Sequence, residues 1–120
     1  QPVHVIEATL DDDTSGLYCE AVQTIIIDEH MTDVQKRCSL THELFHWLHA
    51  DDSHAEYGKS HAEWRVRRET AMFLINPADY VQAEREYDGE IYQMSCEMDV
   101  TVFLLEDYRR ILEYRQPIHD

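Results

Sequence analysis

The chain has 120 residues, of which 43% are hydrophobic and 10% aromatic, enough for one folded domain whose core needs no disulfide or metal staple. Its net charge of −15 disfavours direct binding to nucleic acid and to anionic lipid, and suits solubility or, more sharply, attraction to a basic protein partner. No window reaches the length of a membrane span, no signal-peptide pattern occurs, and Cys19, Cys38 and Cys96 form no C-x-x-C, so reduced thiols in the cytoplasm are expected.

The N-terminal third reads as strands. Val3 to Leu10 is a strand candidate, followed by the acidic loop Asp11-Asp12-Asp13. Gly16 to Cys19 and Thr24 to Asp28 flank a short turn around Glu20 to Gln23. The run Thr24-Ile25-Ile26-Ile27 is rich in β-branched apolar residues and suits a strand buried on one or both faces. A helix follows. Thr32 is a good N-cap, Gln35 completes a capping box, and Val34, Leu40, Leu44, Trp47 and Leu48 give an apolar helical stripe ending near His49. Ala50 to Lys59 reads as a loop.

Ser60 is the expected cap of a second helix, with Glu63 at the capping-box position and Pro77 ending it. Asn76 and Pro77 start a third helix as N-cap and first helical residue, and Asp88-Gly89 stops it. Two more helices follow, Glu90 to Met98 and Val102 to about Tyr114, with Thr101 as the cap between them. Ile91–Met98 and Val102–Ile111 have helix-turn-helix-like spacing, but the acidic balance favours a packing role. The expected architecture is α+β in a single domain spanning 1–120. A small antiparallel sheet and hairpin occupy 1–28, and a helical bundle occupies 32–115.

Thr41-His42-Glu43-Leu44-Phe45-His46 contains an H-E-x-x-H motif, and the apolar pattern places it on a helix. Positions i and i+4 lie one turn apart on one face, so His42 and His46 can share one metal ion. Glu43 then stands beside the ion, where a carboxylate can take a proton from a metal-bound water. A shuffled chain of this composition would show the bare motif roughly one time in twenty, so its surroundings must decide.

A catalytic zinc needs a third protein ligand and an open position for water. His49 shares the face of His42 and His46 but lies beyond them along a straight helix, which suits a pocket-wall role. His54 and His61 lie in or beside the loop. Glu63 sits in the first turn of the next helix, where it competes with its own capping role. Glu69 is the alternative, and otherwise sits on a solvated face beside Arg65 and Arg68.

From Gly16 to about Leu112 the chain resembles the ImmA/IrrE metallopeptidases, especially their compact phage and actinobacterial forms. The segment from Gly16 to Asp28 is similar to the hairpin before the family's motif helix, and Ser39 to His49 resembles that helix. Leu74 to Tyr80 looks like the family's L-[LI]-x-P signature. Glu84 to Gly89 and Met98 to Thr101 fit its closing helices. Two departures stand out. Phe45 replaces a usual Gly, so its ring must find room against a neighbouring element. Val66 and Arg67 replace the Ala and Asp/Asn of an E-x-x-A-[DN] pattern aligned on Glu63.

The resemblance implies a zincin-like fold, Zn2+ held by His42, His46 and Glu63, and Glu43 as general base. His49 and Tyr80 are candidates to stabilise the oxyanion. It also implies a zinc-dependent endopeptidase that cuts a protein substrate, a helix-turn-helix repressor in phage immunity or stress regulation. The rival reading is a zinc-stabilised, non-catalytic acidic module that sequesters a basic DNA-binding regulator.

Overall fold

In the computed structural model, residues 2–52 and 59–115 are described. Three strands lead, β1 (His4–Ala8), β2 (Gly16–Cys19) and β3 (Thr24–Asp28), with a 3-10 turn at Glu20–Val22. Five helices follow: α1 (Asp33–Leu48), α2 (Lys59–Leu74), α3 (Pro77–Glu86), α4 (Ile91–Met98) and α5 (Val102–Arg115). The architecture is the expected α+β, a small sheet followed by a helical bundle.

The pairing within the sheet departs from expectation. The order is β1-β3-β2. β2 pairs antiparallel with β3, Cys19 opposite Thr24, and Gln23 closes the turn in the left-handed region with φ of 50°. β1 runs parallel to β3, with Val5 opposite Ile25, so the sheet is mixed rather than antiparallel. The chain leaves β1, reverses into β2 on the far side of β3, and returns through the hairpin, which leaves β1 and β3 pointing the same way.

Alternation along β3 gives it one buried face. Ile25 and Ile27 are buried while Thr24, Ile26 and Asp28 are half-buried, as a period of two requires. Tyr18, Ile25 and Ile27 pack against Leu40, Leu44 and Trp47 of α1. The other side of α1 contributes Cys38 to a second, larger core built from Ala71, Ile75, Tyr80, Met94, Leu105 and Tyr108 among others. The motif helix is therefore held between sheet and bundle, which fixes its rotation about its own axis.

Local signals account for three of the helix starts. The Thr32 hydroxyl accepts from Gln35 N while the Gln35 side chain accepts from Thr32 N, a complete capping box. The Asn76 side-chain oxygen Oδ1 accepts from the Ala78 and Asp79 amides, with Pro77 following it. Leu104 N donates to the Thr101 hydroxyl at the start of α5. Met94, Leu104, Leu105, Tyr108 and Ile111 of α4 and α5 are buried in the second core, a packing role for the pair. One expected cap differs: α2 begins at Lys59, which places Ser60 inside the helix.

Candidate metal centre

His42 and His46 stand one turn apart on α1, with ring centroids 5.0 Å apart. The first turns of α2 bring Glu63 against both. Its Oε1 lies 3.2 Å from His42 Nε2 and 3.0 Å from His46 Nε2, and its Oε2 is 3.1 Å from His42 Nε2. One ligand atom from each residue falls within 4.8 Å of the others, and no second such group of three occurs among the described residues.

This donor set fits a divalent metal. Two ligands bound to one tetrahedral zinc at about 2.0–2.1 Å stand roughly 3.4 Å apart, close to the contacts seen here. Two imidazoles and one carboxylate form a common three-ligand set for catalytic zinc, leaving the fourth position for water. His46 is 2% exposed, so its position is set by packing as well as by Glu63. Its buried Nδ1 makes no hydrogen bond among the described residues.

The charges agree with a shared site. Burial pushes the Glu63 carboxyl up, but hydrogen bonds from His42 and His46 outweigh it and hold the group well below the usual carboxylate range. Burial also works against a charged His42. The Glu63 hydrogen bond and the charges of Glu63 and Glu43 overcome it and raise the imidazole pKa. A cluster that stabilises an anion among two imidazoles is equally ready to place that anion on a cation.

Glu43 is 4% exposed and lies on the wall of a cleft of about 740 Å³ that His42 and Glu63 also line. β2 and the loop before it form one rim through Asp13 to Leu17. α5 and the residue before it form the other through Thr101, Phe103, Leu104 and Asp107. Such a volume lies in the range of substrate-binding clefts. A Cβ at Gly16 would crowd the first rim, meeting Ser39 Oγ at 2.5 Å and Glu43 Cγ at 3.2 Å.

The other expected residues fall elsewhere. Glu69 pairs with His49 at 2.6 Å, so neither joins the cluster. Tyr80 is buried in the second core, where its hydroxyl accepts from Arg109 Nε at 3.1 Å, and it does not line the cleft. His61 is exposed on the first turn of α2. His54 lies outside the described residues. Phe45 turns its ring edge-on to Phe73 of α2, with centroids 5.9 Å apart, and stays out of the cleft lining. Sequence reasoning marked Arg67 only as a departure from the family pattern and did not single out Asp107, and the two meet on the cleft wall. The i to i+4 spacing of Glu63 and Arg67 was a signal for the first, but nothing local marks the second.

Over residues 1–102 the chain matches the peptidase family described as the IrrE N-terminal-like domain. The chain belongs to that family. Its motif, its mixed sheet and its Glu63-bearing helix all lie inside the matched stretch, which ends on the first residue of α5. Membership supports a metallopeptidase-type function for this IrrE N-terminal-like domain. Comparison with curated proteins and with solved structures gives no significant match. Among the described residues, no helix is long and apolar enough to cross a membrane.

Proposed function

We propose that this IrrE N-terminal-like domain is a zinc-dependent endopeptidase acting in the cytoplasm on a protein substrate. His42, His46 and Glu63 hold the ion, and Glu43 is the general base. The observation that carries the reading is the convergence of two imidazoles and one carboxylate from a second helix, beside a buried glutamate on the wall of a large cleft. When bound, zinc supplies a Lewis acid that polarises the peptide carbonyl and brings the pKa of its water toward about 7.

The rest of the chemistry belongs to the chain. Its neighbouring position to His42 and its share in the lining of the same cleft support Glu43 as the group that takes a proton from the attacking water. The same group returns the proton to the leaving amine as the C–N bond breaks. The cleft lies between β2 and α5, and its volume suits a polypeptide segment. The net charge of −15 favours a basic substrate, and a helix-turn-helix repressor fits that description.

The test is zinc analysis combined with cleavage of a basic helix-turn-helix repressor. The parent is expected to hold one zinc and to produce discrete fragments. Glu43→Gln should keep the zinc and lose about 10²–10⁴ in rate. Undiminished cleavage by Glu43→Gln would remove the base from the mechanism. A stable complex with an intact repressor, indifferent to that substitution, would instead establish sequestration.

A further inference from the structure

Within this hydrolytic reading, we propose that Arg67 is a catalytic residue that donates hydrogen bonds to the scissile carbonyl oxygen, and that Asp107 is its positioning residue. Arg67 follows Glu63 by one turn on α2, so both side chains leave the same face of that helix. With Thr70 they form the α2 wall of the cleft that holds His42 and Glu43. Arg67 is the one lysine or arginine among the residues described as lining it.

Its orientation is fixed from two sides. Asp107 of α5 takes Nε at 3.0 Å and Nη2 at 2.6 Å, a fork-to-fork pair that sets the guanidinium plane. The Trp64 ring lies 5.6 Å from the guanidinium carbon and backs it. Asp107 is buried, whereas Arg67 keeps 38% of its side chain exposed. A guanidinium carries five N–H donors, and Asp107 engages two of them. The other three make no hydrogen bond among the described residues. The Arg67 charge acts on both His42 and Glu63, which places it within electrostatic reach of the ligands.

These features answer a need of the reaction. As water oxygen bonds to the carbonyl carbon, the C=O π pair moves onto oxygen, and Glu43 takes the water's proton. That oxygen needs a donor held in place beforehand, because a donor that must reorganise gives back its advantage. His49 and Tyr80, the sequence-based candidates, are committed to Glu69 and Arg109 outside the cleft. Arg67 is the cationic donor already fixed inside it.

The test uses a fluorogenic peptide library for turnover and N-phosphoryl-Leu-Trp, whose tetrahedral phosphoryl group mimics the oxyanion, for calorimetric binding. Acetohydroxamate, a metal chelator without that geometry, is the control. The double variant Arg67→Ala/Asp107→Ala leaves no buried lone carboxylate, and its melting curve and zinc content verify the fold. It is expected to lose about 10²–10³ in kcat with KM within about threefold of the parent. Affinity for the phosphoryl dipeptide should fall by a similar factor, and hydroxamate affinity should not change. Asp107→Asn, which keeps one acceptor, should lower kcat by less, again with KM held.

Unchanged kcat, or unchanged phosphoryl-dipeptide affinity in the double variant, would overturn the assignment. A rise in KM alone would also overturn it, by showing that Arg67 grips a substrate side chain. A parent that cuts neither the library nor a basic helix-turn-helix repressor, yet binds the phosphoryl dipeptide in an Arg67-dependent way, would overturn the peptidase reading and support the donor's placement.

Discussion

Gly16 of β2 backs directly onto Glu43 of α1: a Cβ built on the glycine would stand 3.2 Å from Glu43 Cγ. The same Cβ would come within 2.5 Å of Ser39 Oγ and 3.2 Å of Ile27 Cδ1. The Ser39 hydroxyl can rotate away, but Ile27 is core and Glu43 is 4% exposed, so neither yields freely. Gly16→Ala is expected to cost about 1–3 kcal/mol by overpacking. It should also lower turnover beyond the loss of folded protein, because the displaced group is the proposed base. Thermal melting and kcat on zinc-loaded protein check this. Adding Ser39→Ala should recover part of the melting temperature. A variant as stable and as active as the parent would show that the strand has room to move.

Glu63 and Glu69 lie on one helix and have opposite fates. Glu63 meets His42 and His46, whereas Glu69 is taken by His49 at 2.6 Å. Glu63→Gln should weaken zinc binding by more than the roughly 10–100-fold typical of losing a supporting group behind a ligand. Glu69→Gln should leave zinc affinity unchanged. Competition against a chelator of known affinity reads both. Equal losses from the two substitutions would mean that the site is not closed by the first turns of α2.

The contrast shows what was legible in the sequence. Signals that act within one turn came through: the Thr32–Gln35 box, the Asn76–Pro77 start, and the His42–His46 pair. They depend on backbone geometry that four residues define. Glu63 could be read locally as a capping residue, and its contact with two imidazoles depends on how α2 packs on α1. The parallel pairing of β1 could not be read, because strand order depends on where the chain crosses after Ala8. The pairing of Arg67 with Asp107 joins residues 40 apart in sequence and depends on how α5 packs on α2. Tyr80 matched a family signature in sequence, yet that signature builds the core rather than the cleft.

Phe45, which occupies the second variable position of the motif, has found its room on α2. Its ring meets Phe73 edge-on at 5.9 Å, and Phe73 is 72% exposed. A double-mutant cycle of Phe45→Ala and Phe73→Ala should give a coupling of about 0.5–1.5 kcal/mol, the usual size for an aromatic pair. Zinc affinity should not change in any of the three variants, since neither ring lines the cleft. Denaturant melts and zinc titration measure the two quantities. A coupling near zero would mean that the rings do not meet in solution.

Metal-free and zinc-loaded protein should respond to pH in opposite directions between about pH 6 and 8. His42 is raised above its ordinary value of 6.5, opposed by burial and driven by Glu63 and Glu43. Its contribution to stability is therefore complete below 6.5 and fades as pH rises through the higher folded value. Glu63 is lowered from 4.5, so its contribution is present above 4.5 and disappears only as pH falls through its lower folded value. The metal-free cluster thus stabilises most between 4.5 and 6.5. Zinc requires deprotonated ligands and releases protons on binding, so the loaded form gains stability as pH rises from about 6 to 8. The quantity to measure is the difference in melting temperature between the parent and His42→Gln, each with chelator and with zinc. With chelator the difference should shrink from about pH 6 to 8, by no more than the equivalent of about 1.4 kcal/mol per pH unit for one proton. With zinc it should widen. A chelator-treated difference that grows over the same range would mean that Glu63 does not hold a proton on His42 in the folded protein.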